Sequence, residues 1–276
     1  MLILAATPIG NLSDSSKRLI EHLGSAKYIA AEDTRTLLKL ANGLGVKLAA
    51  RLFSLHEHNE GERVEQLLAI AREEDVLVVS DAGMPTVSDP GFVLVRAAIE
   101  AGIEVTIIPG PSAVLAALAV SGLPTDRFSF EGFLPRKSGE RRTFFGELLD
   151  EGRTMVFFES PHRIEDSLRD ALSVFGPERK ATVSRELTKK FEQTVRGNLQ
   201  ELLEWAAVEP RGELVLVIAG ADKDQESEAT AEELLESVER LRSEGLSLKQ
   251  SVAKVAKAHS ISKSELYQQV LDSRTK

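Results

Sequence analysis

The 276-residue sequence contains no cysteine. Disulfides, thiolate metal sites and a cysteine nucleophile are therefore excluded together, and a reducing, cytoplasmic setting is expected. Aromatic residues are scarce, at 5%, so the core has to be largely aliphatic, as in sheets covered by helices. No apolar run reaches the roughly eighteen residues needed to span a bilayer, so a soluble protein is expected. The apolar start, MLILAATPIGNL, has no basic leader and breaks at Pro8 and Gly10, which reads as a first strand rather than a signal. A P-loop is missing, because Gly-Lys-Ser and Gly-Lys-Thr do not occur. GLGVKL (Gly43 to Leu48) opens like a dinucleotide fingerprint but lacks its third glycine, and GPSAV lacks the second glycine of a nucleophile elbow.

Basic residues are also in deficit. The net charge of −9 taken alone argues weakly against nucleic acid, since phosphate contacts need Lys and Arg. Distribution qualifies the sum. Residues 222–244 carry nine acids against Lys223, Arg240 and Arg242, whereas 246–276 carry six bases against Glu265 and Asp272.

What is present is 42% hydrophobic residues, enough for a sizeable core, arranged as β-rich runs alternating with amphipathic helical patterns. Over 1–122 the predicted strands are Leu2–Ala6, Tyr28–Ala31, Arg51–Leu55, Val76–Ser80 and Glu104–Ile108, each followed by a helix. Such alternation gives a mostly parallel sheet with both faces covered. Over 123–221 the strands Arg127–Phe133, Thr154–Glu159, Ala181–Arg185, Glu192–Arg196 and Glu213–Ala219 include an antiparallel pair joined by LTKK (Leu187 to Lys190), which predicts a second, mixed α/β domain. Residues 222–276 read as an acidic linker followed by three helices. The last starts at Ser262 with Glu265 completing a capping-box pattern, and the turn at Ser260-Ile261 suggests a helix-turn-helix. A packing or dimerisation bundle is the equal alternative.

Ligands of open parallel sheets bind beyond the carboxyl ends of the strands. Here those ends carry TPIGN, EDTR, SLHEHNE, SDAGMPTVSDPG and PGPS, five polar or glycine-bearing loops on one rim. Asp81 sits at a strand end, where its carboxylate suits an ammonium or ribose hydroxyls, while Gly83 admits close backbone approach. Asp89, ahead of Pro90, reads as a turn cap. The start of the helix after PGPS offers unpaired N–H groups suited to an anion, although an ordinary turn would look the same. His56 and His58 alternate without a third ligand, so no metal is assigned.

The segments TPIGNLSD, AEDTR, SLHEHNE, SDAGMPTVSDPG, IPGPSA, FEGFLPRK, FESPHR, SRELTKKFE and GELVLVI, in this order over residues 2–220, closely resemble the ribosomal small-subunit RNA (cytidine-2′-O)-methyltransferase family of the tetrapyrrole-methylase-like superfamily. The resemblance implies a two-domain α/β fold of the class III S-adenosylmethionine-dependent methyltransferases with a helical C-terminal extension. It also implies a homodimer, and methyl transfer to a cytidine of 16S ribosomal RNA at the decoding centre, with S-adenosylhomocysteine as product. Ile9, Asp81, Ala82, Gly83, Met84, Pro109, Gly110, Ser112 and Ala113 would line the donor pocket from the first domain, and Phe157, Phe158, Glu213 and Leu214 from the second. Period-2 alternation puts at least one of the two phenylalanines in the core. Glu32, Asp33, His56 and Glu186 are the titratable candidates, with Asp33 favoured as base or ribose anchor and Arg35 as phosphate guide. Glu32 and Arg35 as a structural pair is the alternative. Arg136, Lys137, Arg141, Arg142, Arg163, Arg185, Lys189 and Lys190 would form a phosphate track. Two rivals stand beside this reading, a tetrapyrrole methylase and a non-catalytic RNA-binding assembly factor.

Overall fold

A computed structural model describes residues 1–56, 59–207, 211–221, 231–243, 246–258 and 262–273. The predicted 222–230 linker, Gly245, where the first of the three C-terminal helices is expected to stop, the Ser260-Ile261 turn and His58 lie outside the described residues. The predicted strands and helices are all present among the described residues, with ends displaced by at most two residues. The first helix illustrates why: Ser16, and not the neighbouring Ser15, is the N-cap, its Oγ accepting from the Leu19 N–H at 3.0 Å.

The first sheet is wholly parallel. Its strands β1 (Leu2–Ala5), β2 (Tyr28–Ala31), β3 (Arg51–Ser54), β4 (Val76–Val79) and β5 (Val105–Ile108) stand in the order β3-β2-β4-β1-β5. β1 and β4 are buried at every position, as central strands covered on both faces must be, and LILA and VLVV contain no polar residue. Helices α1 (Lys17–Ser25) and α2 (Thr34–Gly43) contribute Leu19, Leu23 and Leu37 to one face. α3 (Glu60–Glu73) and α4 (Phe92–Glu100) contribute Val64, Leu67, Leu94 and Ala98 to the other.

The second sheet is mixed, in the order β6-β7-β10-β8-β9, from β6 (Phe128–Phe133), β7 (Thr154–Glu159), β8 (Lys180–Arg185), β9 (Gln193–Asn198) and β10 (Leu214–Ile218). β6 and β7 are parallel; β10 runs antiparallel to both β7 and β8, and β8 antiparallel to β9. One face is covered by α6 (Ser138–Glu147), α7 (Ile164–Phe175) and α8 (Leu199–Ala206), around Phe145, Phe157, Leu168, Phe175 and Leu202. α5 (Ala113–Ser121) covers the other. Its Val114, Ala117 and Leu118 pack with Val156, Val215 and Val217 of the second sheet and with Ile9 from the loop after β1. A helix that follows the last strand of one sheet thus seals the next, and both sheets fall in one compact unit, residues 1–149 and 153–219.

A second unit comprises residues 150–152 and 220–276. Within it α9 (Ala231–Ser243), α10 (Leu248–Ala258) and α11 (Lys263–Ser273) bury Leu234, Val238, Val252, Val255, Leu266 and Val270 against one another. The Ser262 hydroxyl stands 3.5 Å from the Glu265 N–H, on the N-cap side of the expected capping box.

Candidate active site

The carboxyl ends of β2 and β4, the loop after β1 and the start of α5 open onto a cavity of about 400 Å³ whose opposite wall comes from the second sheet. Ile9, Ala82, Met84, Ala113 and Val114 form the apolar floor on one side; Phe133, Phe158, Leu214 and Val215 face them. A volume of this order, mostly apolar with a few convergent polar groups, is typical of small-molecule sites.

Local sequence explains the shape. Thr7 and Gly83 exchange two backbone bonds, Thr7 N–H to Gly83 O at 2.9 Å and Gly83 N–H to Thr7 O at 3.1 Å, which fold the loops after β1 and β4 onto each other. Beyond Gly83 the chain passes through Thr86 and Ser88 at φ +73° and +62°. Non-glycine residues avoid this left-handed region, at a penalty of about 1–3 kcal/mol each, and the outliers concentrate at functional sites. Opposite, β6 slips register between Phe130 and Phe133. That bulge turns Phe133, still 62% exposed, into the mouth, where it meets Phe158 edge to face at 5.4 Å between centroids.

The rim is acidic. The Asp81 N–H donates to Glu32 Oε2 at 3.2 Å and the Asp33 N–H donates to Asp81 Oδ1 at 3.1 Å, lacing the ends of β2 and β4 together. Burial raises the Asp81 carboxyl above its ordinary value. Asp89 is pushed up to about 6, first by burial and then by the negative charges of Glu32 and Asp81, with a Ser80 hydrogen bond opposing them. Asp33 goes the other way. Its carboxylate takes Arg35 Nε at 3.0 Å and Nη2 at 2.6 Å, and that pairing, with the Arg35 backbone bond, holds it at about 2. An apolar slot edged by carboxylates suits a ligand with a flat apolar body and a positive charge.

Ile9, Asp81, Ala82, Gly83, Met84, Ser112, Ala113, Phe158, Glu213 and Leu214 all line this cavity, as does Glu32. Others do not. Phe157 is completely buried on the opposite face of β7, with Phe145 5.9 Å away between ring centroids, so of the pair only Phe158 reaches the slot. Pro109 and Gly110 sit behind the rim; a Cβ on Gly110 would lie 2.9 Å from the Ala6 methyl, so this glycine permits close packing of the loop on the strand end. Arg35 pairs with Asp33 and not with Glu32, and His56, whose N–H donates to Asn59 Oδ1 at 2.9 Å, is not among the lining residues.

The eight basic residues expected to form a phosphate track divide into two groups. Arg141 points inward, 3% exposed, and pairs with Asp170 at 2.6 Å. Arg163 Nη2 donates to the Leu134 and Pro135 carbonyls at 2.7 and 2.9 Å and stands 3.3 Å from Glu159, itself buried. Lys189 bridges Glu186 and Glu213 at 3.0 Å each. These three tie the protein to itself. Arg136, Lys137, Arg142 and Lys190 remain exposed, and Arg185 is half-buried. The sequence reading missed Asp89, Val87, Phe133, Ser160 and Gly212 as cavity residues; the acid pair in SDAGMPTVSDPG was the signal available for the first.

Residues 1–203 match the family model of tetrapyrrole (corrin/porphyrin) methylases. The chain is 48% identical over 275 residues to ribosomal RNA small subunit methyltransferase I of Mycobacterium tuberculosis (strain CDC 1551 / Oshkosh), covering 99% of this chain and 95% of that one. Among solved structures, the methyltransferase CobJ superposes with a TM-score of 0.61 at 19% identity, over 80% of this chain and 94% of its own. Uroporphyrin-III C-methyltransferase from Thermus thermophilus, complexed with S-adenosylhomocysteine, superposes with a TM-score of 0.53 at 21% identity, over 79% and 96%. At these identities the two structures speak for the fold.

Proposed function

Since the chain belongs to the tetrapyrrole (corrin/porphyrin) methylases, and within them to the family of ribosomal RNA small subunit methyltransferase I, we propose that it methylates small-subunit ribosomal RNA from S-adenosylmethionine. The finer reading is a cytidine 2′-oxygen of 16S RNA at the decoding centre, by a homodimer acting in the cytoplasm. The observation that carries the donor assignment is the apolar cleft with its carboxylate rim. Its about 400 Å³ accommodates a nucleoside with an attached amino acid.

Within that reading Ile9, Met84, Val114, Phe158, Leu214 and Val215 enclose the adenosine and exclude water. Asp81 and Glu213, at the rim, attract the ammonium. Ser112, N-cap of α5 without a side-chain capping bond, leaves its hydroxyl and the first-turn N–H groups to receive the carboxylate. The bound donor supplies an electrophilic methyl on a cationic sulfur. Holding the ribose oxygen in line with it is the main task of the protein. Asp33, paired with Arg35 and held at about 2, is a poor proton acceptor. Asp89, half-buried beside two other acids and raised to about 6, is matched to neutral pH and accepts the hydroxyl proton.

The test incubates the protein with methyl-labelled donor and purified small subunits, then digests the RNA to nucleosides. Label on a cytidine 2′-oxygen is expected. No uptake of donor by calorimetry, or label only on a base, overturns the proposal.

A further inference from the structure

A second cavity, of about 270 Å³, lies beside the cleft and shares Gly212 with it; its other lining residues are Arg185, Glu186, Phe191 and Arg211. Its construction is specific. Glu186 stands at φ +50° and Gly212 at +91°, and a Cβ on Gly212 would collide with the Glu186 carboxylate. That carboxylate accepts from the Glu213 N–H and from Lys189 Nζ, both at 3.0 Å, and these partners hold it below its ordinary value, the backbone bond foremost. The single negative charge in the wall is therefore met within the protein. The positive charges are met only in part, Arg185 lying within electrostatic reach of Glu186. Arg185 Nε is buried without a hydrogen-bond partner, an uncommon state for a charged donor. Arg211 is exposed and makes no ion pair among the described residues. Phe191, 67% exposed in the hairpin between β8 and β9, lies under the Lys190 ammonium at 5.5 Å. Cations beside an open aromatic face are the elements that hold a single-stranded nucleotide, the charges taking phosphate and the ring taking a base.

We propose that this second cavity is a subsite for the nucleotide flanking the one to be methylated, its phosphate against Arg185 and Arg211 and its base stacked on Phe191. The inference rests on the reading of the larger cleft as the donor site of an RNA methyltransferase. A cavity that shares one wall residue with the donor cleft suits a neighbour of the nucleotide presented to that cleft. The two arginines come from different segments, Arg185 from β8 and Arg211 from the approach to β10, so the subsite is assembled only in the folded sheet.

Phe191→Ala and Arg211→Ala alter exposed side chains and leave the fold intact. Each is compared with the wild-type chain in methyl transfer to small subunits, in calorimetric binding of S-adenosylmethionine, and in titration of a fluorescent pyrimidine heptaribonucleotide. Loss of a stacked base weakens binding by about tenfold, so KM for the subunit is expected to rise about tenfold in Phe191→Ala while kcat and donor affinity stay within twofold. Arg211→Ala is expected to lower the log–log salt dependence of oligonucleotide affinity by roughly 0.7, the contribution of one phosphate contact. An unchanged KM and an unchanged salt slope overturn the subsite, and so does an equal loss of donor affinity, which would make the cavity part of the donor cleft. Should the wild-type protein leave ribosomal RNA unlabelled, the functional reading fails on its own account, and the oligonucleotide titration still decides the subsite.

Discussion

The basic segment PRKSGERR contains one arginine whose role differs from its neighbours, and removing it distinguishes a fold-holding charge from an RNA-facing one. Arg141 Nε and Nη2 stand 2.8 and 2.6 Å from Asp170 Oδ2, and Nη1 reaches the Pro135 and Arg136 carbonyls at 3.2 and 3.4 Å. Asp170 also accepts from Ser138 Oγ at 2.9 Å. In Arg141→Ala the buried carboxylate keeps that hydroxyl and a distant Arg142, 4.0 Å away and half exposed. Removing one partner of a buried ion pair costs about 3–5 kcal/mol. At roughly 2–4 °C per kcal/mol for a unit of this size, the melting temperature should fall on the order of 10 °C. The comparison is the triple variant of Arg136, Lys137 and Arg142 to Ala. Those side chains are exposed, and pairs such as Lys137 to Glu140 contribute about 0–1 kcal/mol. Thermal and urea unfolding should leave the triple variant near wild type, while its RNA affinity drops and its salt slope shrinks. Replacing the pair together, Arg141→Met with Asp170→Leu, should recover most of the lost stability. The reasoning is refuted if Arg141→Ala melts with the wild type and loses RNA affinity as the triple variant does.

The Asp89 carboxyl, raised to about 6, keeps a proton between pH 4 and 6 that the unfolded chain has already released, so its contribution to stability falls as pH rises through that window. Asp89→Asn abolishes that dependence: its melting temperature relative to wild type should climb from pH 4 to about 6 and then level off, and kcat should drop about 100-fold; a difference independent of pH would contradict it. Phe157→Ala should destabilise by about 3–5 kcal/mol with donor affinity intact, because the ring lies wholly in the core. Phe158→Ala should weaken donor binding by calorimetry at a smaller loss of stability, and equal donor loss in both variants would reverse the assignment.

The elements were legible because local pattern and final burial agree. LILA, VLVV and LVLVI read as strands buried on both faces, and each is central in its sheet. The strand order was not legible, because parallel pairing across 70 residues leaves no mark in a four-residue run. One signal went unused. α5, AVLAALAVS, carries no charged side chain and has no preferred apolar face, which marks a helix enclosed on more than one side, and this helix does seal the second sheet.

The site was legible where chemistry sits at strand ends and illegible where a partner decides. Asp81 and Ser112 could be placed because a parallel sheet directs its loops to one rim, whereas Ile9 was named only through the family resemblance. Phe157 and Phe158 alternate by the pleat, but only the arrival of α6 and α7 on one face and of the cleft on the other says which ring is free. Arg141 and Asp170 lie 29 residues apart on neighbouring helices, and no spacing rule connects them. Asp89 looked like a cap because Pro90 follows it, yet Glu32 and Asp81 are brought to it by pairing of β2 with β4. Burial is the first cause of that shift, and the sheet order adds the second, the charge of Glu32. It follows that shifting β2 away from β4 would remove the Glu32 contribution and lower the Asp89 carboxyl only in part, since its own burial is the larger cause, even with every residue of SDAGMPTVSDPG unchanged.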